Sequence, residues 1–285
     1  MKINWFPGHM TKALRMMESE IKNIDAVIYV LDARAPYSCF NPSFEKIVGN
    51  KPILYVLNKA DLCEKKDIDL WLRYFSKNNN KAIALNSVKS GNKKEILDSI
   101  KHLCKDKVLK YETKGILTRI RVMVLGVPNS GKSTLINNII GSAKTITGNK
   151  PGVTRGKQWI VVDKMFEILD TPGTLWPDIE NQDCAINLAL IGSIKNDVLD
   201  VNELALELIK VLKSNYKTEL NSRYKLQDEE NLPVEILEQI AVNRKFLLKG
   251  NEIDFERTSL ALIDDFRKGR IGKIILELPN VWLWK

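Results

Sequence analysis

Gly126-Val127-Pro128-Asn129-Ser130-Gly131-Lys132-Ser133 lies between an apolar, β-branched run at 120–125 and a helical pattern carried by Leu135, Ile136, Ile139 and Ile140. A Gly-x-x-x-x-Gly-Lys-Ser stretch in a strand-to-helix turn predicts a phosphate loop. Its small residues let backbone N–H groups turn inward around a β-phosphate, and the helix N-terminus adds a favourable dipole. Lys132 then reaches the β- and γ-oxygens and Ser133 ligates magnesium, with Asn129, Ser130, Gly131 and Thr134 completing the nucleotide-binding stretch.

Working outward, Asn58-Lys59-Ala60-Asp61 closes another apolar run, at 53–57, about seventy residues upstream. An Asp at the carboxyl end of a strand can accept hydrogen bonds from guanine N1–H and the N2 amino group. Adenine has no matching donors, so binding it would leave a desolvated carboxylate unpaired at a cost of about 3–5 kcal/mol. The expected base is guanine. Ser87-Val88-Lys89 follows the next run, at 82–85, and is placed to offer a backbone contact to the base oxygen, although the tripeptide alone carries little information.

Downstream, Asp170-Thr171-Pro172-Gly173 closes the run at 166–169. A carboxylate there suits the magnesium shell and the N–H of Gly173 can sense a γ-phosphate; an ordinary Pro-Gly turn is the plainer alternative. Pro151-Gly152-Val153-Thr154 predicts an ordering loop whose Thr154 hydroxyl meets Mg2+ only with the γ-phosphate in place, and Thr145 and Thr147 compete for that role.

The motifs thus run base, base, phosphate, switch, switch, which inverts the order of a Ras-like GTPase. A sheet tolerates such a circular permutation when its strands keep their places and the new connection spans the old termini. Near-continuous apolar runs at 26–31, 53–57, 82–85, 120–125, 159–162 and 166–169 alternate with helical patterns, the signature of a doubly wound α/β sheet. The polar stretch 105–118 reads as a surface connector between the two halves of this sheet. Beyond Pro177 the strand signal fades, and helical periodicity occupies 183–192, 202–212, 233–248 and 258–267. The expected organisation is a permuted P-loop GTP-binding domain at 1–177 and a smaller all-α domain at 178–285. The closing segment 272–278 reads either as a terminal strand or as an extended tail.

The chain of 285 residues carries a net charge of +9. Residues 1–177 hold 29 Lys/Arg against 16 Asp/Glu, a net +13, whereas 178–285 hold 15 against 19, a net −4. The basic excess suits a polyanionic partner but also fits a solvated surface. Cys39, Cys63, Cys104 and Cys184 have no Cys-x-x-Cys pairing, which argues against a zinc site or a disulfide framework. Without a long apolar run or a leader-like start, the expectation is a cytoplasmic protein with no membrane partner.

Trp5-Phe6-Pro7-Gly8-His9-Met10, Asp32-Ala33-Arg34-Ala35-Pro36, the base, phosphate and switch motifs with Trp176-Pro177, and Phe266-Arg267-Lys268-Gly269-Arg270-Ile271-Gly272-Lys273 together resemble the YlqF/RbgA family of circularly permuted GTPases over essentially the full length. The resemblance implies GTP hydrolysis to GDP stimulated by the large ribosomal subunit, and a helical C-terminal domain that contacts ribosomal RNA. The expected partner is the pre-50S particle and its ribosomal RNA, with the protein monomeric off the ribosome. Potassium dependence is implied too, Asn129 matching a phosphate-loop Asn that helps hold the cation.

Hydrolysis poses the open question. A Ras-like enzyme places Gln after its Asp-x-x-Gly, whereas Thr174 stands here, a poor orienter of water, and the family more often has an aliphatic residue at this position. His9 is the candidate that the resemblance offers for positioning or deprotonating water; fixing the N-terminal loop is its alternative role. Arg267, Lys268, Arg270 and Lys273 are candidate RNA phosphate contacts, or the cations of a solvated helix end. Trp282 and Trp284 fit either base stacking or burial. Arg34 fits either closing the base pocket or bracing its loop. Two other functions are compatible with these motifs: an RNA-binding assembly factor for which GTP is a structural ligand, and a regulatory GTPase with a protein or tRNA-modification partner.

Overall fold

The computed structural model describes residues 3, 8–77, 79–116, 118–141, 158–177, 179–227 and 231–279. Six apolar runs form one sheet from β1 (Ala26–Asp32), β2 (Ile53–Asn58), β3 (Lys81–Leu85), β4 (Ile120–Leu125), β5 (Gln158–Val161) and β6 (Phe166–Asp170). The strand order is β3-β2-β1-β4-β6-β5, parallel throughout except that β5 runs antiparallel to β6. Chain order therefore reverses direction between β1 and β4, the position at which an open α/β sheet leaves a crevice at its carboxyl edge. Register sets the motif-bearing ends side by side: Asp32 pairs with Asn58, Asn58 with Leu85, and Val124 with Asp170.

Alternation along each strand divides the core into two faces. Ile28, Val30, Leu54, Val56, Val122, Val124 and Ile168 pack on one side with α4 (Lys93–Leu103), α5 (Lys105–Glu112) and α6 (Lys132–Ile140). Val27, Tyr29, Leu31, Tyr55, Leu57, Met123, Leu125 and Leu169 face the other side, against α1 (Gly8–Glu20), α2 (Pro42–Val48) and α3 (Lys65–Phe75). The connector read as polar surface is helical over 105–112. Lys105 and Lys110 face water and Lys107 pairs with Asp25, while Val108 and the preceding Cys104 reach the core, so the helix is amphipathic despite its charge.

The second face continues into the helical half. There α7 (Gln182–Leu190), α8 (Val201–Asn215), α9 (Lys217–Tyr224), α10 (Pro233–Arg244) and α11 (Phe255–Arg267) contribute Leu188, Leu208, Leu220, Ile240, Ile263 and Phe266 to the same apolar cluster. Asn181, Asp200 and Asp254 accept hydrogen bonds from the first-turn N–H groups of α7, α8 and α11, which fixes where these helices begin. The fourth helix, α10, stops earlier than its periodicity suggests because Lys245 adopts a left-handed conformation with φ 56°. Periodicity misses α9, whose stretch Lys-Thr-Glu-Leu-Asn-Ser-Arg-Tyr is mostly polar.

Of the two readings of 272–278, the extended tail is the one observed. It runs back over the first half as a strap: Ile274 N–H donates to Leu62 O at 2.9 Å, Leu276 N–H to Arg34 O at 2.8 Å, and Trp71 Nε1 to Glu277 O at 3.1 Å. The Glu277 carboxylate accepts from Ser38 N and Oγ at 2.7 and 2.6 Å and from Asn187 Nδ2 at 3.1 Å. Burial pushes its pKa up to about 7 against the pull of these donors. Trp282 and Trp284 lie outside the described residues.

Candidate nucleotide site

The phosphate loop turns from β4 into α6 beside the end of β2. Gly131 sits there at φ 96°, and a Cβ on it would lie 2.1 Å from Asn58 Nδ2. Only glycine satisfies both conditions, and this close approach binds the two motifs into one site. Asn58 Nδ2 donates to Ser130 O at 2.8 Å, while Asn58 Oδ1 accepts from Lys59 N at 2.8 Å, Ser87 N at 3.0 Å and Ser87 Oγ at 2.7 Å. One buried amide thereby staples the Asn58–Asp61 loop, the Ser87 loop and the phosphate loop.

Lys59, in the left-handed region at φ 60°, bridges Asp32 Oδ2 at 2.8 Å and Asn129 O at 2.9 Å. Asp61 opens the following turn with its side chain exposed, and Val88 and Lys89 are exposed in the loop that follows β3. Sequence reading overlooks Asn138: from α6 its Nδ2 holds Lys89 O at 2.6 Å and Ser87 O at 3.2 Å. An Asn in mid-helix has no local signature for such a role.

Lys132 is 6% exposed and its Nζ donates to Gly126 O and Val127 O at 3.0 and 2.9 Å. Burial draws its pKa down to about 8, opposed by the charge of Asp170. Asp170 is 1% exposed, and neither carboxylate oxygen has a hydrogen-bond partner. Burial raises its pKa to about 6 although Lys132 pulls the other way. A buried, unpartnered carboxylate next to a buried ammonium is costly unless a ligand completes it, and a cation carried by phosphates is of the right chemistry. Ser130 Oγ and Thr174 Oγ1, close in sequence to these groups, are likewise buried without hydrogen-bond partners.

The Asp170–Gly173 turn rests on the phosphate loop: a Cβ on Gly173 would lie 2.7 Å from both Lys132 Nζ and Pro128 Cα. Thr171 Oγ1 donates to Val124 O at 2.6 Å and fixes the root of this turn to β4. Thr154, with its competitors Thr145 and Thr147, lies outside the described residues, and so does the side chain of His9, whose backbone belongs to α1.

Arg34 braces rather than closes. Its guanidinium is buried, donating from Nε and Nη2 to the Asp32 carboxylate at 2.9 and 2.7 Å and from Nη1 to Arg267 O at 3.2 Å. Arg34 and Lys59 together hold the Asp32 carboxyl well below the usual range despite burial. Asn129 directs its Nδ2 at Gly192 O, 2.7 Å away in the helical half.

The four cations of the basic Phe266–Lys273 stretch divide into two kinds. Arg267 is turned inward, where its guanidinium donates to Leu190 O at 2.8 Å, Ala189 O at 2.7 Å and Asn196 Oδ1 at 3.0 Å. Its donors thus satisfy carbonyls at the end of α7 and the Asn196 side chain rather than facing outward. Lys268, Arg270 and Lys273 have side chains 56%, 48% and 54% exposed, each within reach of a carboxylate from Asp264, Asp265 or Glu64.

A doubly wound sheet with a phosphate loop at its point of reversal, joined through Asn58 to the upstream Asn58–Asp61 loop, defines a circularly permuted P-loop GTPase. Ribosome biogenesis GTPase A of Bacillus cereus is 41% identical over 98% of this chain and 95% of its own length, and that of Bacillus licheniformis 38% over 98% and 99%. The chain belongs to the ribosome biogenesis GTPase A family, and is a GTP-hydrolysing enzyme. A family model described as 50S ribosome-binding GTPase matches residues 121–242. Mitochondrial ribosome-associated GTPase 1 of Mus musculus is 31% identical over 96% of this chain and 89% of its own. A GDP-bound YlqF structure superposes with a TM-score of 0.70 at 25% identity, covering 93% of this chain and all of that one; the GNP-bound YlqF of Thermotoga maritima gives 0.64 at 25%, covering 94% and 98%. No helix among the described residues is long and apolar enough to cross a membrane.

Proposed function

We propose that this chain is a GTP-driven switch that assists assembly of the large ribosomal subunit, docking on pre-50S particles in its GTP state and leaving after hydrolysis. The observation that carries this reading is the seating of the Asp170–Gly173 turn directly on Lys132 and Pro128, ahead of Leu175, which is buried in the apolar cluster that both halves share. A γ-phosphate competing for Lys132 and for the Gly173 N–H would move that turn and pull on the helical half.

In this reading Asn58, Lys59, Asp61 and the Ser87-Val88-Lys89 loop hold guanine, and Asn129 to Thr134 hold the phosphates. Ser133, Thr154 and Asp170 would hold Mg2+, and Asn129 a potassium ion. A bound Mg2+ supplies neutralisation of the β- and γ-phosphate charge, and Lys132 adds its own charge at the same oxygens. With Thr174 standing where a Ras-like enzyme has Gln, intrinsic turnover is slow and the ribosomal particle completes the site. The cytoplasm is the expected compartment, and the protein is monomeric off the ribosome.

The deciding experiment is co-sedimentation with large-subunit precursors in a non-hydrolysable GTP analogue against GDP, paired with phosphate release with and without 50S particles. Retention in the analogue and stimulated release are expected; equal retention in both nucleotides with no stimulation would favour a structural role for GTP. His9→Ala should abolish the ribosome-stimulated component while leaving GTP affinity nearly intact, and unchanged turnover would reject His9 as the water-positioning group. Replacing Lys268, Arg270 and Lys273 together with Gln should weaken binding and flatten the dependence of log affinity on log salt by roughly 0.7–0.9 for each phosphate that is no longer neutralised. An unchanged slope would place the RNA-binding surface elsewhere.

A further inference from the structure

The inward-turned Arg267 belongs to a closed circuit of interactions that passes through both halves of the molecule. From the phosphate loop, Asn129 Nδ2 donates to Gly192 O at 2.7 Å, and the adjacent Ser193 Oγ donates to Pro128 O at 2.7 Å. Gly192 packs against the Arg267 guanidinium, since a Cβ on it would lie 3.5 Å from Cζ, and that guanidinium holds the last carbonyls of α7 just before it. Arg267 O in turn accepts from Arg34, Arg34 grips Asp32, Asp32 accepts from Lys59, and Lys59 Nζ returns to Asn129 O. The circuit begins and ends on one phosphate-loop residue and passes through the guanine-reading lysine on the way.

We propose that Arg267 is a positioning residue of the nucleotide site, holding the corner between α7 and α11 against the phosphate loop so that nucleotide grip and the placement of Lys268, Arg270 and Lys273 are coupled. It touches no nucleotide; it acts through Gly192 on Asn129 and through Arg34 and Asp32 on Lys59. The fork geometry of arginine is needed, because three acceptors in different directions are met by one planar group, which a lysine ammonium does not reproduce. By linkage, whatever anion settles on the three exposed cations shifts nucleotide affinity, and nucleotide shifts that anion's affinity by the same factor. The inference rests on the guanine-nucleotide reading of the site, and the two are tested by separate arms.

Release of a fluorescent GDP analogue from the full-length chain, followed by stopped flow, decides the matter, with thermal unfolding recorded for every variant. Failure of the wild-type chain to bind the analogue would remove the nucleotide reading itself. With binding established, Arg267→Met should release the analogue about tenfold faster, Arg267→Lys by an intermediate factor, and Lys210→Ala, which opens an exposed ion pair with Glu207, at the wild-type rate. Arg34→Met combined with Arg267→Met should release little faster than the stronger single variant, because both cut one circuit. Wild-type release from folded Arg267→Met, equal acceleration by Lys210→Ala, or factors for Arg34 and Arg267 that multiply would each overturn the proposal. Should Arg267→Met not fold, Arg267→Lys decides in the same assay: faster release supports the positioning role, and an unchanged rate refutes it.

Discussion

An Asp61→Asn protein is expected to bind GTP two to three orders of magnitude more weakly than the parent and to bind xanthosine triphosphate more tightly than GTP. Lys59 turns the chain through the left-handed region, Asp61 opens the next short turn exposed at the carboxyl edge of β2, and Asn58 holds that edge against the phosphate loop. With the loop fixed from both sides, the choice of base is expected to rest on the Asp61 side chain alone. Two guanine donors meeting a carboxylate are worth about 3–5 kcal/mol over an unpaired carboxylate, which sets the expected loss. Asparagine presents an N–H where Asp61 presents oxygen, and xanthine offers a carbonyl where guanine offers an amine. Calorimetric titration with both nucleotides measures the exchange, and unaltered GTP affinity would remove Asp61 from base recognition.

The second large effect concerns Asp170. Replacing it with Asn should cost at least about a hundredfold in magnesium-dependent GTP turnover, yet raise the melting temperature of the nucleotide-free chain by several degrees. The pKa of Asp170 in the fold is about 6, above the ordinary 3.8, because burial outweighs the attraction of Lys132. A carboxyl with a raised folded pKa binds protons more tightly in the native state, so the contribution of this one group is fully present below about pH 4 and is lost as pH rises through 6. At neutral pH the ionised, unpartnered carboxylate costs about 1–3 kcal/mol, which a neutral amide of the same shape relieves. The same protonation competes with a bound cation, so magnesium-dependent affinity of the parent protein should fall as pH drops through 6. Calorimetric melts at neutral pH and phosphate-release assays test both halves; a lower melting temperature in Asp170→Asn would mean that the carboxylate has a stabilising partner.

Much of this architecture is legible in the chain because its signals are local. The base, phosphate and Asp170–Gly173 motifs each follow an apolar run that becomes a strand, and the runs are near-continuous because both faces are buried, Val27 and Tyr29 on one and Ile28 and Val30 on the other. The inverted order of Asn58–Asp61 and the phosphate loop needs no tertiary information to be noticed. What escapes are features whose partners lie far along the chain. Arg267 and Lys268 are adjacent cations at a helix end, and only Ala189, Leu190 and Asn196 distinguish the one that is an internal clamp. Asn138 resembles any polar residue on a helix until the Ser87 loop is placed against it. The α9 segment has too few apolar residues for its period to register, since Leu220 and Tyr224 alone reach the core.

The strap at 272–279 gives vectorial synthesis a particular character in this molecule. Ser38 N–H and Oγ and the indole of Trp71 find their acceptors on Glu277, whose codon is read 239 residues after that of Ser38. A nascent amino-terminal portion can emerge with all the strands of its sheet and still carry buried donors with nothing to receive them. The carboxyl-terminal strap thus makes the earliest-made layer of the protein among the last to be finished, and it ties completion of the framework around β1 and β2 to delivery of a distant carboxylate.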